Sequence, residues 1–172
     1  MSDSELHDDA KLSHVSDDGK ASMIDVGAKE PTRRTALAEA WVHVGPRVAQ
    51  LLQDTGAVAK GNVLETARVA GILAAKRTGE LIPMCHPLGL DVVEIDAELI
   101  GDRVQIVARA ICHGKTGVEM EAMTAVSVAA LTVYDMVKSA GKGVEIGPIR
   151  LLEKTGGKSG RWLRAENNDG NG

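Results

Sequence analysis

Residues 91–113 read DVVEIDAELIGDRVQIVARAICH, and their alternation decides the fold class. Val93, Ile95, Ala97 and Leu99 fall on one side, with Glu94, Asp96 and Glu98 on the other. A period of two is the mark of a half-buried strand. Gly101 and Asp102 supply a turn. Val104, Ile106, Ala108, Ala110 and Cys112 then alternate again. The stretch therefore predicts a β-hairpin with one wet face. Its apolar face needs a covering layer.

That cover is legible on both sides. Residues 118–140 are apolar nearly all round, which predicts a buried helix. Gly141 and Gly143 end it, residues 146–153 read as a last strand, and a Gly-rich run follows at 155–160. Upstream, residues 35–44 alternate through Ala36, Ala38, Ala40, Val42 and Val44 and predict a first strand. Pro46 suits a first helical turn and Gly56 a helix end. A second helix fits 62–77, with Asn62 as cap and Val63, Ala67, Ala70, Leu73 and Ala74 on one stripe. The stretch LIPMCHPL at 81–88 holds two prolines and reads as a structured, extended loop.

The order β-α-α-β-β-α-β is the split βαβ plan, an α+β ferredoxin-like antiparallel sheet with helices on one face. A three-stranded meander is the alternative. One domain is expected over 21–162. The polar, acidic residues 1–20 and the tail 163–172 are expected to be disordered.

Composition narrows the function classes. The chain has 172 residues, enough for one domain with a core. Aromatics are only 2% and Phe is absent, so Ala, Val, Ile, Leu and Met must build that core. Small side chains bury little area each, so self-association would add stability. A net charge of -4 and three aromatics argue against nucleic acid and anionic membrane as partners. No apolar run reads as a membrane span, and the N-terminus lacks a signal region. Cys85 and Cys112 then read as free thiols of a cytoplasmic protein.

Several residues could carry chemistry. Thr116-Gly117-Val118-Glu119 has the spacing of a capping box, which would explain Glu119 but not Glu121. A carboxylate between Met120 and Met123 at a buried helix start should hold its proton tightly, which suits acid or base work. Asp135 and Lys138 share a helix face, as a surface ion pair or as a functional couple. Burial would lower the lysine's pKa. Glu121 and Asp135 are about 21 Å apart if one continuous helix carries both. Either a loop folds back, or two chains build one site together, and the helix's apolarity favours two chains. Lys60 precedes a helix N-terminus, and Lys154 and Lys158 flank glycines, so a polyphosphate could be held there. Arg33, Arg34, Lys76, Arg77, Lys142 and Arg150 read mostly as solubilising. Gly157-Lys158-Ser159 is no P-loop, because Leu152 stands where the first Gly belongs. His86 sits in the constrained loop. Cys85-His86 and Cys112-His113 could ligate metal, but strand neighbours point to opposite faces. Two classes stay open on residues alone: a nucleotide-processing enzyme, or a ferredoxin-like assembly module.

The stretches KGNVLETARVAGILAAKRTGELIPMCHPL, KTGVEMEAMTAVSVAALTVYDMVK and IRLLEKTGGKSG, with the opening MIDVGAKEPTRRTA, resemble the molybdenum-cofactor biosynthesis protein C (MoaC) family. The likeness covers roughly residues 22–162. It implies a ferredoxin-like subunit in a homo-hexamer, a trimer of dimers, with sites at dimer interfaces. It implies cyclic pyranopterin monophosphate synthase activity. The substrate would be (8S)-3′,8-cyclo-7,8-dihydro-GTP, supplied by a radical SAM GTP 3′,8-cyclase. By the same resemblance Asp135, Lys138 and Lys60 are catalytic. Met84, Cys85, His86, Glu119, Met120, Glu121 and Lys154 contact substrate. No cofactor is required by the sequence, and Mg²⁺ is compatible with a triphosphate. His113 and the acidic extension fall outside the family pattern.

Overall fold

The computed structural model describes residues 20, 22–55, 57–58, 61–158 and 160–165, the side chains of 57 and 58 excepted. The acidic extension and the last residues of the tail therefore lie outside the described residues, apart from Lys20.

A five-stranded antiparallel sheet forms the frame. Its strands are β1 (Thr32–His43), β4 (Val92–Ile100), β5 (Arg103–Gly114), β6 (Glu145–Thr155) and β7 (Trp162–Leu163), in the order β4-β5-β1-β6-β7. The hairpin forms in the expected register, with Ile95 opposite Ala108 and Ala97 opposite Ile106. Strand β1 lies at the centre, pairing β5 on one side and β6 on the other. Leaving aside the short edge strand β7, the split βαβ arrangement is the one read from the sequence.

Helices cover one face. They are α1 (Pro46–Thr55), α2 (Val63–Ala75), α3 (Thr78–Leu81) and α4 (Glu119–Val137). A two-stranded ribbon, β2 (Ala57–Val58) with β3 (Gly61–Asn62), joins α1 to α2. Asn62 caps α2, its side chain accepting a hydrogen bond from the Glu65 amide at 3.1 Å. Ala36, Ala38, Ala40 and Val42 of β1 and Ala125, Val126, Ala129 and Val133 of α4 are all buried in one core. Small residues let the layers approach closely. A Cβ on Gly71 of α2 would meet Ala125 O at 2.9 Å and Ala129 Cβ at 3.3 Å, and would run into Ile95 Cδ1.

The structure differs from the sequence reading at several points. The loop expected from residue 81 begins with a short helix, α3, at Thr78. The capping box does not form, because α4 is entered through Val118 with no side-chain cap. The last strand continues to Thr155 and gains a partner in β7, so the ordered chain runs past 162. Arg164 N donates to Leu152 O at 2.8 Å. By length and composition α4 could also cross a membrane, which the sequence reading did not allow. Eight of its apolar side chains are buried in the core.

Candidate active site

The N-terminal end of α4 opens into a cavity of about 290 Å³. Met84, Cys85 and His86 line it from the loop after α3, and Glu119, Met120 and Glu121 from α4. Six of the ten expected site residues thus come together although more than thirty positions separate the two segments. Lys154 of β6 joins them from the side, its Nζ donating to Glu119 Oε1 at 2.9 Å.

Local sequence explains the placement. The hydrogen bond from Cys85 N to Ile82 O, 3.0 Å, closes a turn that presents Cys85 and His86 together. Gly117 leaves room for the Glu119 carboxylate to fold back, since a Cβ there would overlap it. Lys154 pairs with Ala36 across the sheet and so faces the helix layer, towards Glu119.

The electrostatics separate the two carboxylates. Glu121 is only 3% exposed, and burial raises its pKa, with the Glu119 charge adding to the effect. Glu119 is ion-paired with Lys154. Burial also raises the Cys85 thiol, and the Glu121 charge raises it further. Cys112 shifts up for the same two leading reasons. Neither thiol is a ready nucleophile at neutral pH. Cys112 is buried while His113 is exposed, so the two face opposite sides of β5 as the strand geometry requires.

Sequence reasoning missed part of the lining. Ile24, Val26 and Lys29 of the segment before β1 close the cavity, with Leu88, Thr116 and Gly117. Lys115 Nζ holds that segment through Gly27 O at 2.6 Å. Arg34, read as solubilising, is half buried instead. Its guanidinium donates to Gly114 O and Lys115 O, each at 3.4 Å, and lies where a side chain on Gly157 would collide with it, while one on Gly156 would run into Arg33 O and Arg34 Cδ. Both glycines have positive φ, 103° and 70°. Those glycines were a legible signal, but their partner was not.

Asp135 and Lys138 lie elsewhere. They occupy the opposite end of α4, ion-paired at 2.7 Å and both largely exposed. Lys138 lines a second cavity, of about 420 Å³, with Arg47 and Lys142. A lowered Lys138 pKa was conditional on burial, and the single chain shows the reverse. The hydrogen bond to Asp135, and then its charge, raise the lysine's pKa. Lys60 falls outside the described residues.

The MoaC family model matches residues 23–157, which include both ends of α4 and the loop at 84–86. This chain belongs to the MoaC family. Among similar MoaC relatives, the cyclic pyranopterin monophosphate synthase of Streptomyces avermitilis is 54% identical over 155 residues, 90% of this chain and 91% of the relative. That of Novosphingobium aromaticivorans is 50% identical over 90% of this chain and 98% of its own length. A Brucella ovis relative of the same name is 52% identical over 88% of this chain and 93% of its own. The MoaC match begins at Met23, so the segment carrying Ile24, Val26 and Lys29 belongs to the family domain and residues 1–22 stand before it.

Proposed function

We propose that this chain is a cyclic pyranopterin monophosphate synthase, acting at a site that two chains share. It converts (8S)-3′,8-cyclo-7,8-dihydro-GTP to cyclic pyranopterin monophosphate and pyrophosphate. The observation that carries the reading is the convergence of residues 84–86 and 119–121 on one cavity, in a chain about half identical to enzymes of that name.

The two-chain part rests on charge and distance. The cavity lining sets one lysine, Lys29, beside Glu119 and Glu121, and Lys154 is already paired with Glu119, so a triphosphate would lack counter-charge there without added cations. Cations gather at the far end of α4, where Arg47, Lys138 and Lys142 stand together. One unbroken helix separates Glu121 from Asp135, by about 21 Å at ~1.5 Å per residue. No fold-back of one chain can close that gap, whereas a second chain can.

In this reading burial favours the protonated form of Glu121, and the side chain relays a proton at the purine edge during opening of the imidazole ring. Glu119 contacts the same edge, and its pairing with Lys154 sets its direction. Met84, Cys85 and Met120 pack against the ligand. His86 orients a phosphate or passes a proton. Asp135 and Lys138 of the neighbouring chain form the main acid–base couple. Lys60 and Lys154 offset the triphosphate charge and stabilise the departing pyrophosphate while the α-phosphate closes into a ring. The proposal includes a homo-hexamer, three dimers, and a radical SAM GTP 3′,8-cyclase as supplier of substrate. It assigns no resident cofactor, with Mg²⁺ accompanying the triphosphate.

Purified protein given the cyclic dihydro-GTP should release pyrophosphate and cyclic pyranopterin monophosphate in equal amounts. Asp135→Ala and Lys60→Ala should each lose about 10²–10⁴-fold in turnover. Near-normal rates in both variants would remove the assignment. An assembly module without a catalytic pocket would show no stabilisation by GTP analogues. A bound ligand at 100 times its Kd adds about 2.7 kcal/mol.

A further inference from the structure

The segment before β1 forms no helix or strand, yet it walls part of the candidate site. Ile24 and Val26 are half buried and line the cavity, while Met23, Asp25 and Gly27 between and beside them are exposed. Lys29 lines the cavity as well. Two local hydrogen bonds shape the segment, from Gly27 N to Asp25 Oδ1 at 2.7 Å and from Lys29 N to Val26 O at 3.1 Å. Ordering such a stretch of backbone costs more than the burial of two half-covered side chains offsets, so it needs a hold on the domain. Lys115 gives one across 88 positions of sequence, its Nζ donating to Gly27 O at 2.6 Å.

We infer that Lys115 is a positioning residue: its ammonium group pins residues 23–30 as the outer wall of the substrate cavity. The inference rests on the cavity being the substrate site proposed above, and it assigns a role to a residue that is not among the lining. Three features select Lys115. It follows directly on the end of β5 and precedes Thr116 and Gly117, which do line the cavity. Its own peptide is fixed, because Arg34 donates to Gly114 O and to Lys115 O, so the long side chain starts from a rigid root. Its bond to Gly27 O has a charged donor, which makes it stronger than a bond between neutral groups. The pinned carbonyl lies between Val26 and Lys29, so one contact sets the apolar side chain and the cation together. Release of the segment would take Ile24, Val26 and Lys29 from the cavity and leave Glu119 and Glu121 in place on α4. An anionic substrate would then bind less tightly, while the groups held on α4 would still meet it.

Lys115→Met keeps an unbranched side chain of similar reach and removes the donors. Hydrogen exchange read by mass spectrometry should show residues 23–30 exchanging about tenfold faster in that variant, with α4 and the sheet unchanged. KM for the cyclic dihydro-GTP should rise about tenfold while kcat stays within about twofold, because the wall holds substrate and transition state alike. Lys115→Arg keeps a charged donor and should restore most of both. A second pair of variants reaches the same segment from its other end. Asp25→Ala removes the acceptor for Gly27 N and should raise KM, whereas Asp25→Asn keeps an acceptor and should not. Unchanged exchange in Lys115→Met overturns the tether. Faster exchange with unchanged KM, a fall in kcat alone, or equal KM in the two Asp25 variants overturns the positioning role. Wild-type protein that forms no product from cyclic dihydro-GTP would remove the activity reading and the positioning role with it, while exchange still decides whether Lys115 holds the segment.

Discussion

Two buried carboxylates respond to pH in opposite directions. Glu121 has a folded pKa above its unfolded value, so its ionisation costs stability above that window, and the cost vanishes below the unfolded pKa. Glu121→Gln should therefore raise the urea midpoint at pH 7, leave it unchanged near pH 4, and still abolish turnover. A lower midpoint at pH 7 would mean that the charge is compensated. Glu39 is 4% exposed on the sheet face away from the helices. Burial pushes its pKa up, but hydrogen bonds from Arg150 (2.7 Å) and Gln105 (3.1 Å), and the Arg150 charge, outweigh that and leave it lowered. Its stabilising contribution is present above the unfolded pKa and is lost as pH falls through the folded one. Arg150→Ala removes the largest lowering cause and leaves burial, so it should destabilise by about 3 kcal/mol at neutral pH, less for the exposure of Arg150, and clearly less near pH 4. Equal destabilisation at both pH values would show that the pair contributes only packing. Neither burial was fully legible in the sequence. The apolar neighbours of Glu121 announced it, whereas alternation put Glu39 on the wet side, and its roof comes from strands 66 and 111 residues away.

Elements were more legible than their ends. Period-two runs set β4, β5 and the middle of β1, and the Asn62 cap and the apolar stripe set α2, because each depends on residues close in sequence. The additions β2, β3 and β7 are two residues long and carry no periodicity to read. The Thr116-to-Glu119 spacing misled, because Lys154 of β6 takes Glu119 and Thr116 sits in the turn before α4. Gly71 is decided by packing alone. Gly71→Ala should cost about 1–3 kcal/mol through forced separation of α2 from α4 and Ile95. A calorimetric unfolding scan checks it. Stabilisation, the usual result of Gly→Ala on an open helix face, would contradict the close approach.

At the scale of the molecule, the candidate site was legible as residues but not as one place. The resemblance named ten positions, six of which line one cavity with Lys154 at its side, while Asp135 and Lys138 stand at the other end of α4. A sequence gives the distance along a helix but not which surface meets a neighbour. The central claim is that both ends of α4 work on one substrate across two chains. Its most direct test mixes Glu121→Gln chains with Asp135→Asn chains, each inactive alone. In a mixed dimer one site collects both substitutions and the other collects none. Random pairing should then restore roughly a quarter of wild-type turnover. Turnover that stays at the level of the separate variants, with mixed dimers demonstrably formed, would contradict a site shared between chains.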